Sequence, residues 1–132
     1  MSANLALVRS IYAAWERGDY SSTEWADPDI EYAILGGLGS ANVRGRAEMR
    51  EAVRANIGIW AHLRSAAEEY RELDAERVLV LDDLSGRGKR SGLQFAQGSA
   101  HLFHVGDGKV TRLVTYWDRD RAFADLGLTP EE

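Results

Sequence analysis

Residues 99–118, Ser99-Ala-His-Leu-Phe-His-Val-Gly-Asp-Gly-Lys-Val-Thr-Arg-Leu-Val-Thr-Tyr-Trp-Asp118, read as strand, turn and strand, and the alternation of their side chains decides both the fold and the place of any chemistry. Asp107-Gly108 suits the positive φ values of a tight hairpin turn, and Lys109 opens a β-branched, aromatic-rich strand. Two of the three histidines of the chain, His101 and His104, lie on the first strand, and Asp118 stands where the second one stops. The following Arg119–Leu126 reads as a short amphipathic helix. Asp118 therefore occupies a sheet rim, where a carboxylate either points into a cavity or caps the helix.

The turn decides which histidine faces inward, because a one-residue change of register moves every side chain of a strand to the other face. With a two-residue Asp107-Gly108 loop, Val105 opposes Val110. Ser99, His101 and Phe103 then share a face with Arg112, Val114 and Tyr116, and Asp118 continues it. With a three-residue Gly106-Asp107-Gly108 loop and a bulge, His104 moves to the face of Val110, Arg112 and Asp118.

Working outward, Leu5, Val8, Ile11, Tyr12 and Trp15 recur at helical spacing and stop at Gly18-Asp19. Ser21-Ser22-Thr23 offers caps for a short second helix through Trp25, ended by Asp27-Pro28, and Asp29–Leu35 reads as a strand. Gly36–Ser40 is a flexible break. Met49, Val53, Ile57 and Trp60 mark a third amphipathic helix from Arg46, with His62 at its end. Beyond it the chain is extended: 65–73 alternates weakly, Val78–Leu81 is apolar on both faces, and 93–105 leads into the hairpin. There are no repeats or interdomain linkers, so residues 1–132 are expected to form one domain. Helices first and antiparallel strands after predict an α+β cone, with N-terminal helices packed on a curved sheet that encloses a pocket.

Composition narrows the function classes. The 132 residues are 45% hydrophobic and 28% charged, which suits a globular chain able to build a core. Without cysteine there is no disulfide, thiolate metal site or thiol nucleophile. A net charge of −5 disfavours non-specific binding to nucleic acid or anionic lipid. No segment approaches the roughly 20 apolar residues of a membrane span, and the first residues lack a basic leader, so a cytoplasmic protein is expected. The basic Arg87-Gly-Lys-Arg90 reads as a solvated turn. Gly36-Gly-Leu-Gly39 lacks the strand-to-helix setting and the lysine of a phosphate loop. His101 and His104 face opposite sides of a regular strand, and His62 has no partner in sequence, so no metal is assigned.

Glu16-Arg-Gly-Asp19, Ala26-Asp-Pro-Asp-Ile30, Arg44-Gly-Arg46, Gly86-Arg-Gly-Lys89 before Ser91-Gly92, Asp107-Gly-Lys-Val110 and Tyr116-Trp-Asp-Arg119 occur in an order that resembles the SnoaL-like branch of the nuclear transport factor 2-like superfamily. The resemblance covers nearly the whole chain and implies the cone fold. That fold hosts isomerases, cyclases, dehydratases, epoxide hydrolases and non-catalytic binding modules. Against the pattern of its steroid isomerases the chain departs, with Ile11 at the tyrosine position, apolar residues near Ile34 at the base and His101 at the oxyanion partner. Against SnoaL-like cyclases, Asp118 matches a catalytic aspartate and His104 a histidine.

The expected chemistry is enolisation without metal or organic cofactor. Asp118 takes a proton next to a carbonyl, and His101, His104 or a tyrosine hydrogen-bonds the oxyanion. Tyr12, Trp15, Tyr32, Trp60, Phe103 and Tyr116 are the expected walls for an apolar or aromatic small molecule, and Arg112 pairs with Asp118 or binds a ligand oxygen. The bland counterparts are an N-cap at Asp118, satisfied strand histidines and aromatic core residues; the protein is then an apolar-ligand-binding or dimerising module. Trp117, opposite Asp118, is expected on the convex face of the sheet and points to a homodimer through it.

Overall fold

In the computed structural model, which describes residues 2–36, 41–58 and 60–129, the C-terminal hairpin forms the middle of a six-stranded sheet. The elements in chain order are α1 (Ala3–Glu16), β1 (Ala26–Leu35), β2 (Ala41–Arg44), α2 (Arg46–Gly58), β3 (Trp60–Glu72), β4 (Arg77–Gly88), β5 (Gln94–Gly106), β6 (Lys109–Tyr116) and α3 (Arg119–Leu126). The strand order is β2-β1-β6-β5-β4-β3, antiparallel except where β1 runs parallel to β6. The sheet stays open, with β2 and β3 at its edges.

Ser2 caps α1 by accepting from the Leu5 N–H, and the helix turns Val8, Ile11 and Tyr12 into the core. The inner face of the sheet carries Tyr32, Ile34, Val78, Val80, Phe103, Val105, Val110 and Leu113, packed against these residues and Met49 of α2. On the outer face Leu79, Leu81, Leu102, Val114 and Tyr116 pack against Ala122 and Phe123 of α3. Each of these two clusters takes alternate residues of the same strands, as the pleat requires.

The hairpin combines features of both expected turns. Asp107 and Gly108 take φ of 52° and 77° in a two-residue loop, and Val105 opposes Val110. One residue later the register shifts, so that His104 opposes Arg112, and Thr111 is the extra residue of a bulge. From there on β6 is reversed relative to the simple pairing: Leu113 and Thr115 face inward with Phe103 and His101, and Arg112, Val114 and Tyr116 face outward with His104 and Leu102.

Other expectations give way nearby. The segment 21–25 forms a turn and not a helix. Five residues cannot repay the cost of a helical nucleus, and Thr23 spends its hydroxyl on Arg50. Strand β1 starts earlier than expected, at Ala26, and carries Pro28 where its pairing with β6 is irregular. The third helix ends at Gly58, so Trp60 and His62 belong to β3, His62 at φ 57° beside a register shift. The short β2 pairs with β1, Tyr32 opposite Val43, and was not expected. Of the Gly36–Ser40 break, residues 37–40 lie outside the described residues.

Candidate functional site

Strand register assembles a polar chain on the otherwise apolar inner face. Val80 opposes His101 and Asp82 opposes Ser99 across β4 and β5, while His101 opposes Thr115 across β5 and β6. Diagonal neighbours on one face are within reach of long side chains. His101 Nε2 accordingly lies 3.2 Å from Asp82 Oδ2, and His101 Nδ1 lies 3.0 Å from Thr115 Oγ1. The Tyr12 hydroxyl, brought from α1, donates to Asp82 Oδ2 at 3.2 Å, and the Ser99 hydroxyl donates to Asp82 Oδ1.

Asp82 is fully buried. Burial pushes its carboxyl up, but the adjoining His101 imidazole and the hydrogen bonds from His101, Ser99 and Tyr12 together outweigh that and hold it below the usual carboxylate value. Burial first, and then Asp82, pushes the Tyr12 phenol well above its ordinary value, so Tyr12 stays protonated and donates to the carboxylate. Burial also pushes Tyr32 up to about 12, partly offset by a hydrogen bond with Thr115. The tautomer of neutral His101 that satisfies Asp82 carries its proton on Nε2 and leaves an acceptor at Nδ1.

His101, Ser99 and Thr115 sit in the wall of a partly open cavity between the sheet and α2. All four tryptophans, Trp15, Trp25, Trp60 and Trp117, line it. Trp60 and Trp117 stack with ring centres 5.8 Å apart. Helix α2 forms the opposite wall with Met49, Val53 and Ile57, and Arg50 stands among them.

Of the residues expected from sequence, the structure brings His101, Trp15, Tyr32 and Trp60 to this cavity. Tyr12 and Phe103 are fully buried behind it, in edge contact with one another. The bulge carries the remainder away. Arg112 lies on the outer face with its Nε 4.0 Å from Glu31 Oε2, and Tyr116 packs in the α3 cluster. His104 sits between Arg77 and Arg112, its imidazole pushed down by burial and by those two cations. Asp118 is the N-cap of α3 and accepts from the Asp120 N–H at 3.0 Å. Trp117, expected on the convex face, lines the cavity and gives no ground for a dimer.

Asp82 was missed. Its signal was present in Val78-Leu-Val-Leu-Asp-Asp83, where strict alternation puts Asp82 on the same face as Val78 and Val80, and the matching face of β5 puts Ser99 two residues before His101. Among the described residues no group of three His, Asp or Glu side chains is placed to hold a metal ion. No described helix is long and apolar enough to cross a membrane.

Solved structures share this architecture. An NTF2-like protein of unknown function from Burkholderia pseudomallei K96243 superposes with a TM-score of 0.80 at 22% identity, over 94% of this chain and 97% of its own. TerC, co-crystallised with polyporic acid, gives 0.76 at 25% identity over 95% and 98%. A candidate SnoaL-like polyketide cyclase from Jannaschia sp. CCS1 gives 0.76 at 15% identity over 97% and 94%. The fold is therefore that of the NTF2-like and SnoaL-like proteins. No protein-family model matches the chain. A cytokinin dehydrogenase 2 of Oryza sativa subsp. japonica is 33% identical over 76 residues, 57% of this chain, and the chain spans 14% of the length of that protein.

Proposed function

We propose that the protein binds an apolar or aromatic small molecule in the tryptophan-lined cavity and moves a proton on it, with His101 as the acid–base group and Asp82 as the residue that orients and charges it. The observation that carries this reading is the Asp82–His101 pair, 3.2 Å apart, with the carboxylate sealed in the core and the imidazole in the cavity wall. A carboxylate behind an imidazole fixes its tautomer and stabilises the imidazolium formed when the other nitrogen takes a proton. Thr115, whose hydroxyl also faces Tyr32, guards that nitrogen, and the acidic C–H of a ligand displaces it. Enolisation of a ketone fits this arrangement: the proton next to the carbonyl passes to Nδ1, and the Tyr32 phenol and Thr115 hydroxyl are the donors for the oxyanion. The role first expected of Asp118 passes to Asp82–His101, because Asp118 spends its carboxylate on the start of α3.

The test is deuterium exchange at the α-carbon of a panel of aryl ketones, followed by proton NMR. Wild-type protein should accelerate exchange, and His101→Gln, which keeps a donor toward Asp82, should lose about 100-fold or more of that acceleration. Equal exchange in the two proteins would remove His101 from the chemistry. One observation favours a second reading: both nitrogens of His101 have protein partners. On that reading the pocket only binds, and ketones that bind would show no enzyme-dependent exchange at all.

A further inference from the structure

A groove that shares Tyr20, Arg50, Val53, Ile57 and Trp60 with the cavity, and that we take as its mouth, is basic in a chain of net charge −5 with 21 acidic residues. Among the described residues, no Asp or Glu lines either the cavity or the opening between α2, residues 18–21 and the loop at Lys89, whereas Arg50, Arg54 and Lys89 do. Arg54 is shared with Glu51 at 3.1 Å. Arg50 is different: its guanidinium donates to the neutral Thr23 hydroxyl at 3.0 Å, and no carboxylate among the described residues pairs with it. It belongs both to the cavity wall and to the mouth, one helical step from Val53. A guanidinium has five donors in a planar fork matched to a carboxylate, so most of this one's capacity is open.

A second group at the same place lacks an acceptor. Trp60 also lines both the cavity and the mouth, and its indole N–H is buried with no partner among the described residues. A buried donor without an acceptor is costly, so a ligand oxygen that reached this N–H on a small shift of the indole would be stabilised there.

We infer that the ligand of this cavity is an aromatic or polycyclic organic acid, whose negatively charged oxygen is held at the mouth by Arg50, with Trp60 as the neighbouring donor, while its apolar body lies among the tryptophans. This rests on the reading of the cavity as a small-molecule site and adds the class of molecule and its orientation: the acid outward and the reacting carbon inward, toward His101. Positive charge at the mouth and its absence from the floor select against the reversed pose.

The probes are 2-naphthoate and its neutral isostere 2-naphthamide, titrated by calorimetry into wild-type protein, Arg50→Met, Arg50→Lys and Trp60→Phe. In wild type the naphthoate should bind about tenfold more tightly than the amide, the ratio expected of one charge-assisted contact. Arg50→Met should bring the two probes within about twofold, Arg50→Lys should restore part of the preference, and Trp60→Phe should weaken both probes, since both carry an acceptor oxygen. Equal binding of the probes to wild type, or a preference that survives Arg50→Met, would overturn the assignment of an acid while leaving the cavity reading standing. Binding of neither probe would overturn both.

Discussion

His101 and Asp82 are diagonal neighbours on adjacent strands, Nε2 to Oδ2 at 3.2 Å, and Asp82 also receives the hydroxyls of Ser99 and Tyr12. One carboxylate thus ties β4, β5 and α1 together beneath the cavity. A buried charge is tolerable only when its lone pairs are filled, and here three donors fill them.

Removing the carboxylate should therefore cost much more than a surface change. Asp82→Ala is expected to lower the unfolding free energy by about 3 kcal/mol, because three donors lose their acceptor together. Tyr12→Phe, which removes one hydroxyl, should cost about 1 kcal/mol. Urea unfolding of the three proteins checks both values; an Asp82→Ala protein as stable as Tyr12→Phe would show that the network contributes little.

The pH dependence follows from the same group. The folded Asp82 carboxyl lies below its ordinary 3.8, so its contribution is complete above that value and disappears as pH falls through the lower folded value. The stability advantage of wild type over Asp82→Asn should shrink as pH falls below about 4. Urea midpoints measured from about pH 4 downward would contradict this if the difference widened.

Asp118 should behave as a cap. Asp118→Asn, which keeps an acceptor for the Asp120 N–H, should change stability by a few tenths of a kcal/mol, whereas Asp118→Ala should cost about 1 kcal/mol. Neither should alter ketone exchange. A loss of exchange in Asp118→Asn with binding intact would return that residue to the mechanism.

The bulge at Thr111 makes a sharper prediction. Deleting Thr111 removes the extra residue and leaves Arg112 opposite His104 and Leu113 opposite Phe103, so Leu113, Thr115 and Trp117 should keep the inner face. The deletion variant should therefore fold, at a cost of less than about 2 kcal/mol in urea unfolding. Loss of the folded amide NMR spectrum would show that the bulge itself, and not only the facing of the strand, is required.

Because all four tryptophans line the cavity, any ligand that enters should change the intrinsic fluorescence of the protein. Trp117→Phe should remove part of that change. An identical response in that variant would place the bound molecule away from the Trp60–Trp117 stack.

Much of the architecture was legible in the chain. The apolar spacing from Leu5 to Trp15, the Arg46 helix and the Asp107-Gly108 turn are local signals, read from periodicity and from the φ values a residue tolerates. They suffice for helices, strands and the α+β cone. By the same logic His101 was available as an inward residue, and the Asp82 carboxylate was visible as a charge on the face of Val78 and Val80.

The partners of His101 were decided only by the tertiary structure. Whether a strand carries one extra residue is a matter of cross-strand packing, and here Leu113 opposite Phe103 in the core, with Arg112 in solvent, selects the bulge at Thr111. That single residue moved Arg112, Tyr116 and Asp118 off the site and brought Thr115 and Trp117 onto it. The meeting of Tyr12, Asp82 and His101, 70 and 19 residues apart in sequence, likewise depends on strand register and on how α1 lies across the sheet, which no local pattern encodes.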